Sequence, residues 1–128
     1  MLKQFLPGLK FVFAFSVADG QLKNAVVYYK SGIRYTNNNQ FPEALAAFDK
    51  AISMYKNFDS AYVKMGDIFS KSGNISNGIN NYKKALAINP KYTDALIGMG
   101  KIYRDARQNL DSAIIYYTAA AQLDSTNK

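Results

Sequence analysis

The stretch DSAYVKMGDIFSKSGNISNGINNYKKALAINP, residues 59–90, decides the fold because its pattern is present three times in the chain. Gly66 within it has counterparts at Gly32 and Gly100, so the three glycines follow one another at intervals of 34 residues. Each glycine has a large residue four positions before it and an aromatic residue three positions after it. A fixed period of this length indicates one supersecondary unit that is copied and stacked.

The second half of each copy repeats as well. A small, an aromatic and a small residue stand at i, i+4 and i+7, which places them on one face of a helix. The three sets are Ala44, Phe48 and Ala51; Gly78, Tyr82 and Ala85; and Ala113, Tyr117 and Ala120. Turn-forming residues at 37–39, 72–74 and 107–109 separate the halves. Each unit is therefore predicted to form a helix, a turn and a second helix.

These residues resemble the tetratricopeptide repeat, whose unit is a pair of antiparallel helices with this order of small and aromatic positions. The resemblance covers about residues 25–128, with units at 25–58, 59–92 and 93–127 in a repeat domain spanning 21–128. It implies an all-α, right-handed superhelix of three antiparallel helix pairs. The family's proline after the second helix is present only at Pro90, and the third turn is one residue longer, between Tyr103 and Ala113.

The repeated glycines have a physical reason that does not depend on the family. Gly32, Gly66 and Gly100 are predicted to lie inside helices, where glycine costs roughly 0.5–1 kcal/mol relative to alanine. We therefore expect a closely packed neighbour at each of them. Most of the 10 Tyr and 8 Phe residues are interpreted as packing groups around these contacts.

Composition excludes most catalytic chemistry. The chain has no Cys and no His, which removes disulfides, thiolate metal sites, cysteine nucleophiles and histidine-based catalytic pairs. Its carboxylates are scattered, and Glu43, Asp59 and Asp94 stand at predicted helix starts, where we interpret them as capping groups. No enzymatic activity, cofactor or metal is predicted.

The net charge of +7 favours an acidic partner through electrostatic steering. The resemblance implies that first-helix residues line a concave groove, and it thereby predicts a basic groove with an aromatic and apolar floor. The protein is accordingly predicted to be a non-enzymatic interaction scaffold that binds an acidic protein or peptide segment. The predicted groove residues are Tyr29, Lys30, Ile33, Val63, Lys64, Asp67, Lys71, Ile97, Lys101 and Arg104.

One subclass of the family can be tested on the sequence. Tetratricopeptide domains that hold the carboxyl-terminal tails of cytosolic chaperones use a clamp of lysine, asparagine, asparagine, lysine and arginine. None of the matching positions in this chain carries the required residue, so a chaperone clamp is not predicted. These positions hold Tyr29, Ile33, Lys64, Asp94 and Gly98.

Two other functions remain open. A basic helical repeat could bind nucleic acid, but the Lys and Arg residues form no continuous stripe and only three are Arg. The chain could instead be a self-assembly module, because the third unit ends near Leu123 without a capping helix, whereas repeat arrays usually need a polar cap. That alternative predicts a homo-oligomer formed through the last helix.

Residues 1–20 are predicted to be either a signal peptide or a leading helix. A basic start with Lys3 and Lys10, an apolar run at 11–17 and the small-x-small end at 16–18 resemble a secretory signal. A membrane span is not predicted, because it needs ~20 apolar residues and this run is much shorter. A signal peptide implies an exported protein, periplasmic or secreted, and a leading helix implies a cytoplasmic one.

Overall fold

The structure is a computed structural model that describes the backbone of residues 2–106 and 108–126 and the side chains of 19–106 and 108–125. Within these residues the chain forms six α-helices and no β-strand, so the predicted all-α architecture of three helix pairs is confirmed. The helices are α1 (Leu2–Asn37), α2 (Phe41–Met54), α3 (Asp59–Lys71), α4 (Ile75–Ile88), α5 (Thr93–Asp105) and α6 (Leu110–Thr126).

The helices pack as pairs and the pairs stack in chain order. The most extensive contacts join α1 to α2, α3 to α4, and α5 to α6. Successive pairs meet where α2 touches α3 and where α4 touches α5, and α3 also touches α5 directly. The first helices α3 and α5 therefore lie side by side, which is how a helical solenoid builds a continuous surface from its repeats.

Each helix pair is held by an aromatic ring that rests on a glycine. A Cβ atom on Gly66 would lie 2.7 Å from the ring of Tyr82, a distance that real Cβ contacts do not show. The same construction on Gly32 meets Phe48 at 2.5 Å, and on Gly100 it meets Tyr117 at 2.8 Å. The expected close neighbour is thus confirmed, and it is the ring of the second helix of the same unit.

Each cluster of the hydrophobic core spans two successive units. One cluster joins the first two units, and the other joins the last two. The first contains Ala44, Phe48, Ala61, Met65 and Ile68, and the second contains Val63, Ile79, Tyr82, Ala85, Ala95, Met99 and Ile102.

The three turns have one backbone feature in common. Each has a residue in the left-handed region, with φ of 59° at Asn39, 82° at Gly73 and 51° at Gln108. In the third turn the N–H of Asn109 donates to the carbonyl of Tyr103 at 2.8 Å, as Asn74 donates to Phe69 at 2.8 Å in the second. The third turn is therefore closed by the equivalent bond although it is one residue longer. Residue 107 lies outside the described part of the chain.

The predicted caps are only partly correct. Glu43, Asp59 and Asp94 all lie in first turns, where a negative charge interacts favourably with the helix dipole. None of the three is an N-cap, however, because the cap residues are Gln40, Phe58 and Tyr92, and no side chain of these makes a capping hydrogen bond. Side-chain caps are instead found on α4, where Asn74 accepts from the N–H of Asn77, and at the start of α6, where Asn109 accepts from that of Ser112.

The segment that resembles a signal peptide is the beginning of α1, which continues without a break into the first repeat. Across the described residues, no helix is long and apolar enough to cross a membrane. The division of the chain into residues 1–20 and 21–128 stays a prediction.

We expect Gly66→Leu to destabilise the protein, because the new side chain must displace the ring of Tyr82. Overpacking of this kind typically costs about 1–3 kcal/mol. Gly20→Leu is the matched control, because Gly20 also lies in a helix but has no atom within 4 Å of an added Cβ. Thermal unfolding should show a clear loss for Gly66→Leu and no loss for Gly20→Leu. Equal melting temperatures for the two variants would contradict the ring-on-glycine contact.

Candidate interaction groove

Most of the ten predicted groove residues are accessible on the first helices. Lys30, Asp67, Lys71, Lys101 and Arg104 are exposed, and Tyr29, Ile33, Lys64 and Ile97 are partly exposed.

Val63 is the exception, and its assignment to the groove is wrong. Its exposed fraction is 2%, and it packs in the core cluster with Tyr82 and Met99. Successive residues on an α-helix point about 100° apart, so Val63 faces the core while its neighbour Lys64 reaches solvent.

A recess of ≈ 200 Å³ opens at the adjacent first helices α3 and α5. We call it the central recess. It brings together three predicted groove residues and three residues that were not predicted to belong there. Its lining consists of Asp67, Tyr82, Asp94, Ile97, Gly98 and Lys101.

Tyr82 reaches this recess from the second helix of its unit. Its ring lies against Gly66 on α3, and a Cβ atom on Gly98 of α5 would overlap the Cζ atom of the ring. The absence of side chains at both glycines therefore lets the ring pass between the first helices. At its far end the hydroxyl donates a hydrogen bond to Oδ1 of Asp67 at 2.5 Å. The first unit has Phe48 in this place and thus no corresponding hydroxyl.

The electrostatics of the recess are set by this hydrogen bond and by two lysines. Partial burial of its carboxyl raises the pKa of Asp67, although the residue as a whole is exposed on the groove side. The Tyr82 hydroxyl, Lys64 and Lys101 act in the opposite direction, and Asp94 adds to the increase. Burial and the neighbouring Asp67 raise the pKa of Tyr82, so its hydroxyl keeps its proton at neutral pH. The recess therefore presents Lys101, Asp67 and Asp94 beside one apolar side chain, that of Ile97.

Arg104 is less available as a binding cation than the sequence predicts. Its Nε donates to Oδ1 of Asp105 at 2.6 Å and its second guanidinium nitrogen donates to Oδ2 at 2.9 Å. This is the one ion pair found in residues 19–106 and 108–125. The bidentate contact lowers the pKa of Asp105 and partly neutralises the charge that Arg104 would offer a ligand.

Two other predicted groove residues are engaged by rings. The Nζ atom of Lys71 lies 5.8 Å from the centre of the Phe41 ring, within the range of a cation–π contact. Tyr29 stacks on Phe58 with 4.8 Å between ring centroids. Lys64 and Lys101 are therefore the cations best placed to meet a ligand at the central recess.

The sequence analysis missed Tyr82, Asp94 and Gly98 as parts of the site. Asp94 was interpreted as a capping group and, with Gly98, as a position of a chaperone clamp, and Tyr82 only as a packing ring. The signal that could have found them is a tyrosine in a second helix combined with glycines at 66 and 98, both of which border its ring. Among the described residues, no group of three or more carboxylates is placed to hold a metal ion.

Comparison with known proteins agrees with the fold. The TPR repeat family matches residues 66–105. The crystal structure of MamA superposes with a TM-score of 0.77 at 24% identity, covering 81% of this chain and 60% of MamA. The second TPR of Spaghetti (RPAP3), solved with the HSP90 peptide SRMEEVD, gives a TM-score of 0.81 at 10% identity, covering 89% of this chain and 97% of that domain. The three helix pairs therefore have the tetratricopeptide repeat fold, and residues 66–105 match the family's own pattern.

Several curated relatives of this chain carry the same protein name. Photosystem I assembly protein Ycf3 of Prochlorococcus marinus strain NATL2A is 32% identical over 114 residues, covering 82% of this chain and 66% of the relative. The same protein of strain MIT 9312 is 33% identical over 110 residues, covering 79% of this chain and 64% of the relative. The chain thus spans just under two thirds of the length of these relatives.

The prediction of an exported protein is wrong. The relatives that match about four fifths of the chain are named as photosystem I assembly proteins, not as secreted or periplasmic ones. The comparisons give no support to a signal peptide, and the order of charge and apolar residues that suggested one belongs to α1.

We expect Tyr82→Phe to raise the pKa of Asp67 further above the ordinary value of an aspartate, because the hydroxyl bonds to the charged form of the carboxyl and holds the pKa down. A carbon-detected NMR titration of the carboxyl measures this directly. The ring remains in place, so the loss of stability at neutral pH should be that of one hydrogen bond to a charged group, about 1.5–3 kcal/mol.

The sign of the linked effect on stability follows from the direction of the shift. Asp67 has a raised pKa in the folded state. Its contribution to stability is therefore complete below the pKa it has in the unfolded chain, and it is lost as pH rises through the pKa it has in the folded state. Tyr82→Phe should move the upper limit of that window to higher pH. Tyr28→Phe is the control, because it removes a hydroxyl from a different helix, α1. An Asp67 titration midpoint that is unchanged or lower in Tyr82→Phe would contradict the assignment.

Proposed function

We propose that this chain is a non-enzymatic scaffold that binds a protein or peptide segment along its concave groove, with the central recess as the anchoring point. The observation that carries the proposal is the combination of the Tyr82–Asp67 pair, Lys101 and Ile97 at two adjacent first helices. Polar groups that converge on one point of a concave surface can fix the orientation of a ligand.

The distribution of charge supports an extended ligand that carries carboxylates. Lys64 and Lys101 both lie close enough to Asp67 to act on its pKa, so the two lysines flank the recess. They can attract an acidic segment from a distance, since electrostatic complementarity acts mainly on the association rate. The partly exposed side chain of Ile97 then offers an apolar contact, and the carboxylate of Asp67 remains available to a donor group on the ligand.

The peptide bound by a structural neighbour is a useful negative probe. Both TPR domains of Spaghetti were solved with the HSP90 peptide SRMEEVD, but at 19% and 10% identity they support only the fold of this chain. Because the chaperone-clamp positions here hold other residues, among them Ile33, Asp94 and Gly98, we expect this chain not to bind SRMEEVD.

The name of the curated relatives supports a narrower proposal, in which the partner is a protein of photosystem I during its assembly. The test is capture from solubilised cyanobacterial membranes by the tagged chain. Enrichment of photosystem I subunits by the wild type, with loss of that enrichment in the variant described next, would support it. If the groove variant enriches photosystem I subunits as well as the wild type does, this narrower proposal is contradicted. That result would say nothing about the binding of other partners in the groove.

We expect the double variant Lys64→Ala, Lys101→Ala to slow association with the partner isolated by the wild-type chain. Exposed charges are screened by salt, so the association rate of the variant should also depend less on ionic strength. Surface plasmon resonance over a series of salt concentrations measures both effects. Arg104 is left unchanged because Asp105 already pairs with its charge.

The matched control is the double variant Lys50→Ala, Lys83→Ala. It removes the same two charges, from exposed positions on the second helices α2 and α4. We expect its association rate to stay close to that of the wild type. If the two double variants slow association equally, only net charge matters and the groove is not the binding site.

A further inference from the structure

The charge inside the central recess is opposite in sign to that of the whole chain. The chain has a net charge of +7. The recess, however, is lined by two carboxylates, those of Asp67 and Asp94, and by one ammonium group, that of Lys101. A segment that is attracted to the groove by its own carboxylates therefore meets an excess of negative charge at this one point.

The two carboxylates of the recess are not paired with a cation of the chain. Within the described part of the chain, the ion pair that forms joins Arg104 to Asp105 and involves neither Asp67 nor Asp94. The two aspartates are close enough to repel each other, since Asp94 raises the pKa of Asp67. A cation placed between the two carboxylates would remove this repulsion.

The recess also has a charge order along α5. Asp94, Ile97, Gly98 and Lys101 are spaced at i, i+3, i+4 and i+7, which places them on one face of the helix. This face runs from a carboxylate to an ammonium group over about 10 Å. Asp67 borders the same recess from the adjacent helix α3. A ligand can therefore meet two carboxylates that come from different helices, with the side chain of Ile97 beside them.

The bond from Tyr82 decides which kind of cation suits Asp67. Its hydroxyl donates to Oδ1 of Asp67 at 2.5 Å, which leaves Oδ2 for a ligand. A guanidinium group binds a carboxylate best through two parallel bonds to both oxygens. An ammonium group is a compact charge with three donors that point in different directions, so it can bond to two separate carboxylates at once. The recess therefore suits lysine better than arginine.

We propose that the central recess binds a lysine side chain of the partner segment, with the ammonium group held between Asp67 and Asp94 and the methylene chain against Ile97. The volume of ≈ 200 Å³ suits one side chain, since pockets for drug-sized ligands are larger, at ~300–1,000 Å³. Lysine commonly lays its methylene chain along apolar surface while its charged end makes polar contacts.

This inference rests on the proposed function and names the residue that the groove selects. Lys64 and Lys101 attract the acidic residues of the segment, and the recess accepts the lysine between them. Asp94 is then a specificity-determining residue, because it supplies the second carboxylate. A segment that is acidic throughout lacks the group that these carboxylates bind.

The first experiment titrates the full chain with Nα-acetyl-lysine amide and follows the side-chain carboxyl carbons of Asp67 and Asp94 by NMR. The matched probe is Nα-acetyl-norleucine amide, which keeps a four-carbon side chain and lacks the ammonium group. We expect the lysine amide to shift both resonances in a saturable manner and the norleucine amide to leave them unchanged. Nα-acetyl-arginine amide should bind more weakly than the lysine amide, by about threefold or more.

The second experiment repeats the lysine titration on variants of Asp94. Asp94→Asn keeps the shape of the side chain and removes its charge, so it should raise the dissociation constant at least about tenfold. Asp94→Glu keeps the charge and should retain binding. Asp49→Asn is the control, because it removes the same charge from an exposed position on α2. Thermal unfolding checks that each variant is folded, since Asp94 lies in the first turn of α5.

Two results would overturn this inference. One is an equal response of both carboxyl resonances to the lysine and norleucine amides, whether large or absent. The other is an equal dissociation constant for Asp94→Asn and Asp49→Asn. Neither result bears on the proposed function, which is tested by the association rate of the double variant Lys64→Ala, Lys101→Ala with the isolated partner. If that variant associates as fast as its control, the groove is wrong even when the recess binds the lysine amide.

Discussion

The contact between an aromatic ring and a helical glycine is the constraint on which the rest of this structure depends. Phe48 rests on Gly32, Tyr82 on Gly66, and Tyr117 on Gly100. Each contact fixes how the two helices of a unit cross, and thereby how the next unit can stack. Because the contact repeats, the first helices α3 and α5 are brought side by side, and the proposed groove would follow from this packing.

Tyr82 connects this packing to the proposed binding surface. Its ring fills the space left by Gly66 and Gly98, and its hydroxyl meets Asp67 in the groove. A residue from a second helix thus shapes a surface otherwise built from first helices. The same side chain contributes to the core and orients the carboxylate at the central recess, so that stability and recognition are coupled at this unit.

The fold could be predicted from the sequence because the 34-residue period records both the helix pair and the register of its contacts. The groove was predictable only in part. Val63 was misplaced because adjacent helical residues face different directions. The central recess was missed because it depends on the ring of Tyr82, which fits there only because Gly98 has no side chain. The predicted export was wrong because a basic segment followed by a short apolar run occurs both in signal peptides and at the start of helices.

The most direct test of the groove as the binding surface is hydrogen–deuterium exchange of the chain, alone and with its isolated partner. The account predicts that the partner slows exchange in the first helices α3 and α5, residues 59–71 and 93–105. It also predicts little change in the second helices α2 and α4, residues 41–54 and 75–88. Protection confined to the second helices would contradict it.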